Sequence, residues 1–173
     1  MNEKRTTPAL VEDGSPANMV GLLQQALTDV KDPEIPALSI VELGMVNHVT
    51  FADGKATVEL TPTFLGCPAL SIIQHQVERR LAQVDGVSSV EVKFVFHPPW
   101  TTERISAEGR EKLRDFGIAP PPCALAAGRM EKPKCPYCGS DQTRLENLFG
   151  PTACRSLYYC EQCRQPFEAM KPV

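Results

Sequence analysis

The chain has 173 residues, enough for one ordinary domain or a small domain with an appended module. Its 18 basic and 21 acidic residues give a net charge of −3, which argues against a general nucleic-acid binder. No run of about 18 apolar residues offers a membrane span, and the polar opening segment MNEKRTTPALVEDG has no signal-peptide core, so a cytoplasmic protein is expected.

Residues 1–17 carry no apolar periodicity and read as a tail. Ser15-Pro16 marks a helix start, and Leu22, Leu23, Ala26, Leu27 and Val30 recur at helical spacing. Pro33 stops that helix near Asp32. Met45 to Phe51 and Lys55 to Thr63 then read as strands joined across Asp53-Gly54, a two-residue hairpin signal. Pro68 opens a second helix whose apolar face is Leu70, Ile73, Val77, Leu81 and Val84. Gly86 ends it, and Val87 to Phe96 alternates as a third strand. A strand–helix–strand unit of this length implies a right-handed crossover between parallel strands. Ser106 to Phe116 is a last short helix closed by Gly117. The body, residues 18–118, is therefore expected to be α+β, in the order α-β-β-α-β-α, around a three-stranded mixed sheet.

A Pro-rich joint follows over residues 119–133, and then a Cys-rich module over 134–173. The net charge divides the same way, with −5 over residues 1–122 and +2 over 123–173. Five of the seven cysteines lie between Cys135 and Cys163. Cys135-x-x-Cys138 and Cys160-x-x-Cys163 are two knuckles, each offering two thiolates from one tight turn, and zinc takes four such soft ligands tetrahedrally. The 21 residues between the knuckles suit a hairpin: Gln142 to Phe149 outward, Gly150-Pro151 at the tip, Ala153 to Tyr159 back. The spacing reads as a zinc ribbon, with an iron–sulfur cluster on the same four ligands and two separate redox pairs as the competing readings. Cys154 would lie roughly 20 Å from Cys160 along a regular strand, near the tip and far from that metal, where it can equally be a small apolar residue. Cys123 falls in the joint and reads as incidental.

In the body, Thr61-Pro62-Thr63-Phe64-Leu65-Gly66-Cys67-Pro68 holds most of the possible chemistry. Gly66 lets the backbone swing out after the strand, and Cys67 falls at or near the helix N-cap, where N–H donors favour thiolate, the form that attacks or binds soft metals. A buried cysteine that merely begins a helix fits equally well. Asp32, Glu34 and Glu42 can line one end of the sheet as hard ligands or acid–base groups, or serve a helix stop and a turn. Trp100 is expected to cover the core edge.

Asp32-Pro33-Glu34-Ile35-Pro36, Glu42-Leu43-Gly44, Thr61-Pro62-Thr63, Gly66-Cys67-Pro68-Ala69 and Trp100-Thr101-Thr102 together resemble the small metal–sulfur cluster assembly domain of the SufT proteins. With the Gly117–Pro121 joint and the ribbon, the chain resembles the PaaD family from about Leu22 to Lys171. That resemblance implies aerobic phenylacetate catabolism, in which a multicomponent di-iron oxygenase epoxidises the ring of phenylacetyl-CoA and a flavin and iron–sulfur reductase supplies electrons. The chain itself lacks Glu-x-x-His pairs and a dinucleotide-binding glycine fingerprint, so it is not expected to be catalytic. The resemblance implies a maturation factor instead, one that assists iron or Fe–S assembly in the oxygenase or reductase, with those components as partners. Cys67 matches the family's motif cysteine, with Cys154 as a second candidate for a transient iron or Fe–S unit. Asp32, Glu34, Glu42, Thr61, Thr63 and Trp100 are supporting motif positions, and the ribbon holds structural zinc. The alternative is a structural component of the oxygenase complex that uses the ribbon for protein contact. A thiol enzyme working through Cys67 ranks last, since nothing supplies a base or an oxyanion site.

Overall fold

The computed structural model describes residues 16–121 and 132–171. Cys123 and the first residues of the chain lie outside these. Helix α1 spans Pro16–Leu27 and buries Met19, Leu23, Ala26 and Leu27. Leu22, expected on that face, is turned outward, and Met19 one turn earlier takes its place.

Strands β1 (Val46–Ala52) and β2 (Lys55–Leu60) form the expected hairpin, with Asp53 at φ 49° and Gly54 at φ 77°. Both turn residues are left-handed, the geometry that matches strand twist in a two-residue turn. Helix α2 (Leu70–Leu81) buries Ile73, Val77 and Leu81, and then β3 (Ser89–Phe94) returns parallel to β2 from Lys55↔Ser89 to Leu60↔Phe94. The sheet order is β1-β2-β3, so β2 is central and presents Ala56, Val58 and Leu60 to the core at period two. A 3-10 turn at Thr102–Arg104 leads into α3 (Ala107–Asp115), capped by Ser106 Oγ, which accepts the Gly109 N–H at 2.9 Å.

Two strands were not legible in the sequence. β4 is only Ile118–Ala119, inside the stretch read as the start of a joint, and β7 (Pro166–Met170) follows the second knuckle. With β5 (Thr143–Asn147) and β6 (Arg155–Cys160) they make a four-stranded sheet in the order β4-β7-β6-β5. β4 pairs in parallel with β7, Ile118 opposite Glu168 and Ala119 opposite Ala169, so the end of the body is a strand of the ribbon sheet. Met170 crosses in the other sense and is buried in the main core with Ile118, Trp100 and the α1–α2 residues. No described helix is long and apolar enough to cross a membrane.

Candidate metal and thiol sites

The four knuckle sulfurs, Cys135, Cys138, Cys160 and Cys163, lie within 4.8 Å of one another. Across the knuckles, Cys135 and Cys163 are 3.6 Å apart, as are Cys138 and Cys160. Four sulfurs at 2.3 Å around a tetrahedral ion would be separated by about 3.8 Å, so the donor set has the right size and softness for zinc.

The backbone of both knuckles is built for this. Cys135 N–H donates to Ser140 O and Gly139 N–H to Cys135 O; Cys160 N–H donates to Gln165 O and Arg164 N–H to Cys160 O, all at 2.9 to 3.0 Å. The matching fifth residues, Gly139 (φ 74°) and Arg164 (φ 59°), both turn left-handed. At Cys160, a backbone hydrogen bond from Cys163 leads the influences that draw its pKa down to about 7, which favours the thiolate that binds a cation. Cys154 is not part of this cluster. It sits beside the hairpin tip, just ahead of β6, as its spacing implied.

In the body, the turn between β2 and α2 carries Cys67, a half-buried free thiol. Helix α2 begins later than expected: its N-cap is Ala69, so Cys67 precedes the cap and lies outside the first turn. Burial is the largest influence on the thiol and raises its pKa; the Ala69 N–H works against that, and the charges of Glu34, Cys154 and Asp32 add to the rise. Cys67 therefore lies outside the thiolate-favouring N-cap position, and burial with the neighbouring carboxylates raises its pKa. Gly66 has an ordinary φ, and a Cβ there would meet only the Phe64 ring at 3.5 Å.

Several of the supporting motif residues hold local structure. Asp32 is 9% exposed, and its Oδ1 accepts the Glu34 and Ile35 N–H groups at 2.8 and 2.9 Å, which fixes the Asp32–Glu34 loop. Thr61 is buried, its Oγ1 accepting from Asn47 Nδ2 at 2.5 Å, and Asn47 in turn accepts from the Arg104 guanidinium. Thr63 and Glu34 are half-buried. Trp100 is buried and donates Nε1–H to Leu43 O at 2.8 Å.

Glu42 is drawn into an ion cluster. It accepts from Ser39 N–H at 2.8 Å and Ser39 Oγ at 2.9 Å, and pairs with Lys112 of α3. Burial would raise its pKa, but Lys112 and Ser39 outweigh that and hold it at about 2. A carboxyl whose folded pKa lies below its usual 4.5 contributes stability above that value and loses it as pH falls towards 2. Allowing for the water that reaches Lys112, the contribution is about 2 kcal/mol. Glu42→Gln should therefore lower the urea-unfolding free energy by that amount at pH 7, and the gap from wild type should close as pH falls towards 2. An unchanged gap across that window would remove the ion cluster from the stability account.

Sequence reasoning missed Arg155. Its side chain is 8% exposed, and it donates to Thr152 Oγ1 at 2.7 Å, to Glu168 at 2.6 Å and towards the Glu34 carbonyl at 3.5 Å. It thereby ties the start of β6 to the Asp32–Glu34 loop of the body. Nothing in a single arginine after Cys154 signals this.

Residues 119–171 match the PaaD zinc β-ribbon domain and residues 23–94 match an iron–sulfur cluster assembly protein family. An Escherichia coli protein whose name assigns it to 1,2-phenylacetyl-CoA epoxidase, as one of the components of that enzyme, is 38% identical over 148 residues, covering 85% of this chain and 89% of that one. An Fe–S protein maturation auxiliary factor of Bacillus subtilis is 37% identical over 97 residues, 56% of this chain and 90% of its own. The crystal structure of a domain of unknown function from Bacillus anthracis superposes with a TM-score of 0.55 at 34% identity, covering 58% of this chain and 95% of that domain. An assembly-type body, a Cys₄ ribbon and identity sustained over most of the length lead to one placement: the chain belongs to the PaaD family.

Proposed function

We propose that this protein is a maturation factor that holds iron or an Fe–S unit at Cys67 and passes it to an oxygenase or reductase component of a phenylacetyl-CoA epoxidase. The observation that carries this reading is the half-buried free thiol of Cys67, set in a hydrogen-bonded turn of a module that matches the iron–sulfur assembly family. The names of the relatives supply the direction: a component of the epoxidase for nearly the full chain, and Fe–S maturation factors for the body. In this reading the ribbon carries zinc, a closed Cys₄ site that stabilises structure and leaves the metal traffic to Cys67.

Anaerobic loading tests it. Wild-type protein should bind iron beyond its ribbon metal and restore iron to the metal-depleted oxygenase or reductase component. Cys67→Ala should lose both properties while keeping ribbon zinc. Iron retained by the variant would remove Cys67 from the site, and a loaded wild type that restores neither component would end the delivery role.

A second reading has one observation in its favour. Leu148 and Phe149 at the ribbon tip are 54% and 78% exposed, a sticky end suited to a structural component of the oxygenase complex. Co-purification in fixed stoichiometry would select this reading over transient delivery.

A further inference from the structure

Helices α1 and α2 pack beside one another on the sheet and leave an open groove between them. It joins two cavities of about 580 and 740 Å³ that share Asp29, Arg80 and Gln83. Each cavity exposes one large apolar side chain. Ile72 of α2, 49% exposed, lines the first, and Leu22 of α1, 42% exposed, lines the second. Neither belongs to the core cluster.

The positive charge is gathered at the Ile72 half. Lys31, Arg79 and Arg80 line the first cavity against a single carboxylate, Asp29, on a body whose net charge over residues 1–122 is −5. The second cavity adds Asp85 and no further cation. Arg80 directs Nε and Nη2 to Asp29 at 3.1 and 2.9 Å, so these two neutralise one another. Lys31 comes only within 4.0 Å of Glu42, a carboxylate already engaged by Ser39 and Lys112. Arg79 is exposed, and the ion pair of α2 among the described residues is made by its neighbour Arg80. Lys31 and Arg79 are thus the cations placed to meet an incoming carboxylate.

The shape selects the class of guest. A phosphate needs donors that converge on one point, and the guanidinium fork in the groove is turned to Asp29. Each flanking helix has 12 residues, so the groove is bounded by walls about 18 Å long. A third helix laid between them would pack as helices pack on one another. Its apolar seam would cover Ile72 and Leu22, and its acidic end would meet Lys31 and Arg79.

We propose that this groove docks an acidic, amphipathic helix of the component that receives the iron. The identity of that partner rests on the delivery reading above; the charge and shape of the groove do not. Ile72 stands in the first turn of α2, whose leading residue Leu70 donates its N–H to Cys67 O at 3.5 Å. The acidic end of the guest would therefore lie at the Cys67 end of α2.

The test measures, by calorimetry, binding of the full zinc-loaded chain to the purified oxygenase and reductase components. One component should bind, with an affinity that falls as salt rises. Arg79→Glu should weaken that affinity about tenfold or more and flatten its salt dependence. Ile72→Ser should weaken it several-fold, and Asp29→Asn, which leaves Arg80 without its carboxylate, should tighten it. Lys93→Glu, at an exposed cation of β3, and Cys67→Ala should both bind as wild type does, with near-UV dichroism constant throughout. If Arg79→Glu and Ile72→Ser bind like wild type while iron is still delivered, the groove is wrong and the delivery role stands. If both variants lose binding yet loaded wild type restores no iron, the groove stands and delivery falls. Wild type that binds neither component overturns the docking site.

Discussion

Stripping the ribbon metal, by a strong chelator or by Cys160→Ala, should unfold the β5–β6–β7 sheet and lower the melting temperature of the body as well. Structural zinc in small knuckle modules is associated with about 10 to 16 kcal/mol of apparent binding free energy at pH 7, as large as the whole stability of an ordinary domain. The ribbon has little else to stand on: its core is Ala119, Cys135, Cys160, Phe167 and Ala169, with Tyr158 and Cys163 packed alongside. Two of those five buried residues, Cys135 and Cys160, belong to the four-sulfur cluster, so an empty cluster would lose both a cross-link and part of the packing. The effect reaches the body because Met170 of β7 is buried in the main core and Ile118 of β4 pairs beside it. Far-UV dichroism should report the lost sheet, and calorimetry the lowered transition of the body. A chelated protein that keeps both would show that the four thiols are dispensable for the fold.

Gly44→Ala should be the most damaging single substitution in the body motifs. Gly44 stands at φ +67°, and a Cβ there would lie 2.3 Å from Arg104 O and 2.6 Å from Arg104 Cβ. The left-handed backbone alone costs a non-glycine residue about 1 kcal/mol, and a clash against backbone has no rotamer escape. A loss of about 3 kcal/mol or more in urea unfolding is expected. The displacement should also travel: Arg104 holds Asn47, Asn47 holds Thr61, and Thr61 begins the turn that ends at Cys67. On the proposed role of Cys67, iron affinity should fall with stability. Gly66→Ala is the contrast, because its Cβ would meet only a ring edge at 3.5 Å, and it should change stability by less than about 0.5 kcal/mol. Equal losses at the two glycines would overturn this account of the motif.

Local grammar made much of the molecule legible. The Asp53-Gly54 turn, the crossover through α2 and the clustering of the four knuckle cysteines each depend on neighbours a few residues apart, and each stands where spacing placed it. What was not legible depends on how the two modules meet. Ile118-Ala119 reads as the start of a linker because its β-partner lies beyond both knuckles, and two residues carry no alternation to detect. The joint role of Arg155 arises from the same docking. The acidic motif residues left two uses open, as ligands or acid–base groups and as formers of a turn. Asp32 and Glu42 have the composition of metal ligands, yet both aim oxygens at nearby N–H groups, a use that residue type alone does not reveal.

The place of β7 in its sheet sets an order of assembly. It is the last of the four strands in the chain, yet it is an interior one, flanked by β6 and β4. The β5–β6–β7 meander can zip up locally, whereas β4 has no partner until both knuckles and two further strands have been made. During synthesis the body must therefore wait with a raw strand edge and with the Met170 position in its core unfilled. Closure of that edge is the final step, and it seats the Arg155 end of β6 against the Asp32–Glu34 loop. Immature chains would then lack the Arg155 contact with that loop, so the link between the two modules would arise only with completion of the fold.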